Sequence, residues 1–473
     1  MINKIILKKR IFPNALRERG LSKATTRTQK TDELKTSNIG KLLLNYSMPA
    51  IAAMAVASVY HIIDGIFIGR VAGPMAISGL GVTVPIINLT VAFGAWVGSG
   101  TSTMVSIRLG EMKYGSAMRF LCNSLVMNII IGGIIGILGL CFLDPILYAF
   151  GASKDTIPHA RDFMQIILLG NIFTHIYFGL NNILRASGYP SKAMIITITT
   201  VIINLILAPL FIFCFHWGIR GAALATVLAQ AVGATLVFVH YLNRSHIIYF
   251  QKAFFKVHFS VVQKILTMGL SPFLMNLCAA AVVSVLNHQL KAYGEDMAIG
   301  AYGIIYRIVG LIAMIVFGFN LGMQPIVGYN FGAKLYDRVI RTLKYSLIIG
   351  TCISTFGFLL GEIFPLSLAR CFTTDKQLIA LTVQGMRIVL ITFPFVGGQI
   401  VVSSFFQAIG KPKAAIFLSL SRQMIFLIPA LFIVPRFWGL SGVWAACPIA
   451  DMLSFILTMG ALYYYYRRIN RKK

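Results

Sequence analysis

Charge is what this 473-residue sequence has least of. Asp, Glu, Lys and Arg together make up 12% of it, and the acids number 14 against 42 Lys+Arg. A soluble globular chain carries about 25% charged residues, so a cytosolic enzyme, a disordered protein and a secreted scaffold are excluded. The motifs of familiar chemistries are missing too. There is no GxxxxGK[ST] phosphate loop, so the chain does not hydrolyse ATP, and there is no HExxH spacing or GxSxG elbow. The seven cysteines form no CxxC pair and six fall in apolar runs, where a buried free thiol acts as a small apolar residue. The loops are too short for a soluble catalytic domain. No cofactor, no metal and no enzymatic role are expected.

What is present is hydrophobic length. Apolar residues make up 57% of the chain and mean hydropathy is +0.80. Runs of about 20 residues recur, each able to cross ~30 Å of hydrocarbon; a transmembrane barrel would show short alternating segments instead. The expected fold is all-α and polytopic. Twelve spans are placed at roughly 42–69, 79–107, 119–143, 160–184, 191–216, 220–243, 262–291, 297–326, 340–364, 378–405, 412–436 and 440–466. The division is a basic extension (1–40), an N-lobe of helices one to six (41–245), a linker (246–260), and a C-lobe of helices seven to twelve with a basic tail (261–473).

The net charge of +28 suggests nucleic acid until it is mapped. The N-terminal segment, the loops after even-numbered spans and the C-terminus hold 31 Lys+Arg; the other loops hold 8; helix interiors hold 3, namely Arg307, Arg387 and Arg422. That asymmetry puts both termini in the cytoplasm of a multi-pass cell-membrane protein, so the basicity reads as topology and contact with anionic lipid, not nucleic acid. Residues 1–41, with eleven Lys+Arg, read as a disordered cytoplasmic extension or as residues upstream of the true start.

The chain repeats itself at an offset of about 222 residues. Arg185-Ala-Ser-Gly-Tyr-Pro190 matches Gln407-Ala-Ile-Gly-Lys-Pro412, Trp217-Gly-Ile-Arg-Gly221 matches Trp438-Gly-Leu-Ser-Gly442, Met75-Ala-Ile-Ser-Gly79 matches Met297-Ala-Ile-Gly-Ala301, and Pro49 matches Pro272. Six helices separate the copies, an even number, so both have the same membrane orientation. Transporters built from two parallel halves bind substrate between them and rock one against the other. Glycine pairs such as Gly98 with Gly100 and Gly318 with Gly322 read as helix packing in lipid before they read as hinges.

An ionisable group inside a bilayer costs at least about 2.5–3.5 kcal/mol and is a functional candidate by default. Only Asp64 and Asp451 lie well within spans. Asp64 sits on an apolar helix, where desolvation disfavours its charged form and suits it to bind and release a proton near neutral pH. Its repeat partner is the neutral Asn287, which assigns coupling to the N-lobe; a buried structural acceptor is the alternative. Asp451, Arg422 and Arg307 fall near mid-depth and are expected to form an ion-paired C-lobe cluster, since an unpaired arginine there is costly. His61, three residues before Asp64, is read as a packed histidine ahead of a proton relay.

These residues resemble those of the multidrug and toxic compound extrusion (MATE) family, in its DinF-like and MepA-like branch, over roughly residues 38–466. The resemblance rests on Asp64-Gly-Ile-Phe-Ile-Gly69, Arg185 with Gly188-Tyr-Pro190, Asn204 with Pro209-Leu-Phe-Ile-Phe213, Ser421-Arg-Gln-Met-Ile-Phe-Leu-Ile-Pro429, and Gly439-Leu-Ser-Gly-Val-Trp444 with Pro448-Ile-Ala-Asp451. It implies an antiporter that exchanges H⁺ or Na⁺ for small organic, often cationic drugs through a V-shaped pair of lobes. The family's N-lobe acid maps onto Asp64 and its span-five asparagine onto Asn204. Many members carry an aspartate one turn after that asparagine, where this chain has Ala208. Spans seven and ten lack the acids that some sodium-coupled members use, which favours protons. A monomer is expected. The rival reading is a flippase for lipid-linked sugars, for which Arg307, Arg387 and Arg422 would line a cationic cavity; a membrane enzyme lacks any nucleophile–base constellation. The major facilitator superfamily shares the two-half plan, but its acid-and-arginine signature after span two is missing.

Overall fold

The computed structural model describes the backbone of residues 33–470 and the side chains of those residues other than 60–78, 280, 296 and 468–470. Among the described residues, ten helices are long and apolar enough to cross a membrane, and two bent pairs, each taken as one span, raise the total to twelve. In the N-lobe these are α1 (Ile39–Val59), α2 (Gly79–Gly110), α3 (Tyr114–Cys141), α4 (Ile157–Leu169 with Asn171–Ala186), α5 (Pro190–Cys214) and α6 (Gly218–Leu242). In the C-lobe they are α7 (Phe259–Glu295), α8 (Met297–Gly332), α9 (Tyr336–Ile363), α10 (Lys376–Leu390 with Phe393–Ala408), α11 (Pro412–Ile433) and α12 (Pro435–Arg467). Proline opens α5, α11 and α12, where its missing N–H has no helical partner to lose.

Each expected span is met by a helix. The difference is that α4 and α10 are broken, by 56° and 52°. In α10 the second half begins Phe393-Pro394, and the proline removes a helical donor at the bend. In α4 the break is at Gly170, where a Cβ would strike the methyls of Val227 on α6.

The repeat is written in the backbone as well as the sequence. Met112 (φ 58°) and Lys334 (φ 61°) turn α2 into α3 and α8 into α9; Gly188 (φ 91°) and Gly410 (φ 74°) precede α5 and α11; Gly218 (φ 54°) opens α6, and Gly439 (φ 55°) kinks the first turn of α12. The short helices Leu143–Ala149 and Pro365–Arg370 are paired in the same way, and so are the two bends. Left-handed backbone at matched positions means that the two lobes share turn chemistry, not only hydrophobicity. The fold is two six-helix lobes in parallel repeat.

The lobes meet along α1 and α2 on one side and α7 and α8 on the other. Small residues let these helices touch backbone to backbone. A Cβ on Gly100 or Gly269 would collide with the carbonyl of Ile265 or Trp96 respectively, and one on Gly110 or Gly332 with that of Tyr329 or Ile107. A Cβ on Gly318 would lie 2.9 Å from the Ile51 Cα, and one on Gly322 would strike Ser47. Packing is therefore what the predicted glycine pairs do. Neutral hydrogen bonds add to the seam: Ser47 Oγ donates to the Phe319 carbonyl (3.0 Å) and Trp96 Nε1 to the Leu266 carbonyl (2.7 Å). Arg338 Nη2 donates to the carbonyls of Leu34 (3.1 Å) and Ser37 (2.7 Å). Among the described residues, these lobe-to-lobe contacts run from the end carrying the chain termini, the basic end, to about mid-depth.

At the basic end Glu111 accepts from Arg108 (2.6 Å) and Lys113 (3.0 Å). Partial burial pushes its pKa up, but the bonds from Lys113 and Arg108 outweigh that and hold it below the usual value. All seven cysteines are free thiols; Cys122 and Cys278 are buried as expected, whereas Cys141, Cys214, Cys352 and Cys371 are exposed. The reading of buried thiols is corrected for those four. Cys141, Cys214 and Cys352 lie on membrane-spanning helices, where an outward-facing apolar side chain meets lipid, and Cys371 lies in a connection.

Gly269→Ala should destabilise the seam by about 1–3 kcal/mol, the usual cost of overpacking, whereas Gly460→Ala, with open space around it, should be near neutral. Thermal unfolding of the two purified variants in one detergent checks the contrast.

Candidate functional site

Both lobes interrupt a helix beside their polar residues. In α5, Pro209 leaves the Leu205 carbonyl without its helical donor, and a π-helical turn, Leu210–Cys214, follows. In α11 the π-helical segment is Ser421–Leu427, just before Pro429. The wide turn carries Arg422, whose Nε donates to Asp451 Oδ1 on α12 at 2.6 Å. Asp451 is buried and the Arg422 side chain is one-third exposed. Tyr302 of α8 stacks on Trp444 of α12, ring centroids 6.3 Å apart.

The structure thus brings together two of the four predicted C-lobe residues. Arg307 does not join the cluster: it is exposed on α8, because Ile304, Ile305 and Ile308 take the buried face of that turn. Asn287 is half-buried on α7, and no hydrogen bond among the described residues ties it to Arg422 or Asp451. The Asp64 and His61 side chains lie outside the described residues.

In the N-lobe Asn204 is buried on α5, and its Nδ2 donates to Thr226 Oγ1 on α6 at 3.0 Å. Among the described residues its buried Oδ1 has no donor. The next turns of α5 continue the polar track. Thr197 Oγ1 accepts from Tyr177 and from Asn181 Nδ2, both at 3.1 Å, and the Tyr177 and Thr200 hydroxyls lie 3.4 Å apart. Ala208, at the position of the family's aspartate, is buried among Leu143, Phe211 and Ile212. An ionised carboxylate would be expensive in that apolar setting.

Sequence reading missed other features. His175, fully buried on α4, is packed between Gly94 of α2 and Gly132 of α3, where a Cβ on either would press on its ring. Phe93, Trp96 and Phe273 stack across the lobe seam, with Trp96 and Phe273 centroids 4.5 Å apart. The glycines at 94 and 132, each inside an apolar run, were a usable signal for the first; the second requires knowing that α2 crosses α7.

Two parallel six-helix lobes with ionisable groups sheltered inside them define a membrane transporter and not an enzyme. The MatE family model matches residues 49–210 and 268–433, one stretch in each lobe, and the chain belongs to that family. The multidrug export protein MepA of Staphylococcus haemolyticus is 28% identical over 427 residues, covering 90% of this chain and 94% of that protein. The MepA protein of Staphylococcus aureus (strain NCTC 8325 / PS 47) is 27% identical over 432 residues, with the same coverage. Among solved structures, the MATE multidrug transporter DinF-BH, solved in complex with a small molecule, is 37% identical, with TM-score 0.84, over 91% of this chain and 96% of that one. An outward-facing MATE family transporter of the MOP superfamily has TM-score 0.87 at 23% identity, over 93% and 98%. The DinF-like and MepA-like branch is where these similarities fall.

Breaking the C-lobe pair leaves a buried charge alone. Asp451→Asn should cost about 3–5 kcal/mol at full burial, and somewhat less with Arg422 partly exposed. The double variant Arg422→Met with Asp451→Leu should recover most of that loss. Thermal unfolding of single and double variants reads the difference.

Proposed function

We propose that this protein exports chemically varied organic compounds, many of them cationic, across the cell membrane in exchange for protons. The observation that carries the reading is an asymmetry between the lobes. The C-lobe carboxylate, Asp451, is held by Arg422 at 2.6 Å, while the intramembrane guanidiniums Arg307, Arg387 and Arg422 all belong to the C-lobe. Asp64 is thus the intramembrane acid with no such cation in its own lobe. The N-lobe also offers spare acceptors: among the described residues, the buried amide oxygens of Asn128, Asn181 and Asn204 have no donor.

The mechanism needs competition for one charge. With the basic end cytoplasmic, as the Lys+Arg distribution suggests, the seam among the described residues closes the cytoplasmic side of the lobe interface. Facing outward, Asp64 takes a proton, loses its charge and weakens its hold on a cationic substrate, which leaves. Facing inward it releases the proton, and the carboxylate attracts the next cation. Asn204 would help to hold the cation or its water. The similarity to MepA and DinF-BH supports export of drug-like compounds. The flippase reading fares worse, because it wants three guanidiniums in one cavity, whereas Arg422 is engaged by Asp451 and Arg387 lies 3.9 Å from Glu362.

Asp64→Asn should abolish proton-driven efflux of ethidium from proteoliposomes while the protein still inserts. Undiminished efflux by that variant refutes the coupling role. The unaltered protein should respond to an imposed H⁺ gradient, and response to a Na⁺ gradient alone would replace the proton with sodium.

A further inference from the structure

At the end of the C-lobe opposite the basic end, a groove of about 740 Å³ lies between the short helix Pro365–Arg370 and the first half of α10. Three of its lining side chains are cations, Arg370, Lys376 and Arg387, and none is a carboxylate. Loops at this end are poor in cations, holding 8 of the 42 Lys+Arg. Two of those eight, with one of the three intramembrane arginines, gather here.

The groove follows one stripe of α10. Lys376, Ile379, Val383 and Arg387 recur at helical spacing and line it, while Thr382, Gly385, Met386 and Leu390 take the buried face. Leu366 completes an apolar wall from the short helix. Arg387 is eleven residues inside α10, about 16 Å along its axis from Lys376, and its side chain is 60% exposed. Its nearest carboxylate, Glu362 at the end of α9, is 3.9 Å away, too far for a hydrogen bond. Reaching Glu362 carries the guanidinium back towards the membrane surface. Among the described residues, Arg370 and Lys376 form no ion pair. Three cations rimming an apolar trough match, by charge and by apolar fit, an amphiphile with one anionic head and long chains.

We propose that this groove is a binding site for an anionic phospholipid of the phosphatidylglycerol type, its phosphate held by Arg370, Lys376 and Arg387 and an acyl chain laid along Ile379 and Val383. The assignment does not depend on the transport reading. Native mass spectrometry of the purified full-length protein, equilibrated with phosphatidylglycerol or with phosphatidylcholine, tests it. The unaltered protein should retain phosphatidylglycerol preferentially. In Arg370→Gln/Lys376→Gln/Arg387→Gln that retention should fall about tenfold or more, although the basic end keeps its own cations. Ala380→Trp, at an exposed position in the groove, leaves the charges in place and fills the trough, and should also reduce retention. Equal retention of the two lipids by the unaltered protein, or undiminished phosphatidylglycerol on either variant, overturns the assignment.

Discussion

Everything this molecule does depends on a seam that holds without welding. Where α1 and α2 cross α7 and α8, the contact is made by glycine backbone, by stacked aromatics and by bonds such as Ser47 to Phe319 and Trp96 to Leu266. Among the described residues no ion pair joins one lobe to the other. Apolar burial gives little drive between helices in lipid, so close fit carries the seam. A fit of that kind forms in full or not at all, which is what two exchangeable packings require.

The lobes are near-copies in backbone and differ in where they hold charge. Their turns, short helices and bends coincide at one offset, yet the C-lobe places a guanidinium–carboxylate pair between α11 and α12, whereas the corresponding N-lobe helices hold hydroxyls and amides. Equal scaffolds let the halves rock symmetrically. On the proposed mechanism, unequal interiors would let one half respond to protons while the other keeps its charge fixed.

Much of this was legible in the residues. The twelve spans follow from hydrophobic length, and the parallel repeat from matched glycines and prolines at an even number of helices. The pairing of Arg422 with Asp451 followed from the cost of leaving either alone at similar depth. Arg307 misled that same argument, because depth says nothing of azimuth: three isoleucines on its turn claim the core and turn the arginine outward. The bend at Gly170 was hidden because glycine in a helix is common in membranes. The one at Pro394 was readable in principle, but a proline near the middle of a 30-residue apolar run can kink a span without dividing it. The π-helical turns depend on tertiary packing around Pro209 and Pro429, which no local pattern specifies.

The central claim is that protonation of one sheltered N-lobe carboxyl biases the rocking of the two lobes. Spin labels at Ser191 and Lys413, exposed and at matched positions where α5 and α11 begin, would report that motion in lipid nanodiscs, in a background with the native cysteines replaced. Double electron–electron resonance should find two distance populations whose balance changes between acidic and alkaline pH, and Asp64→Asn should fix the balance at one end. A distribution indifferent to pH, or an unaltered pH response in the variant, would contradict the account.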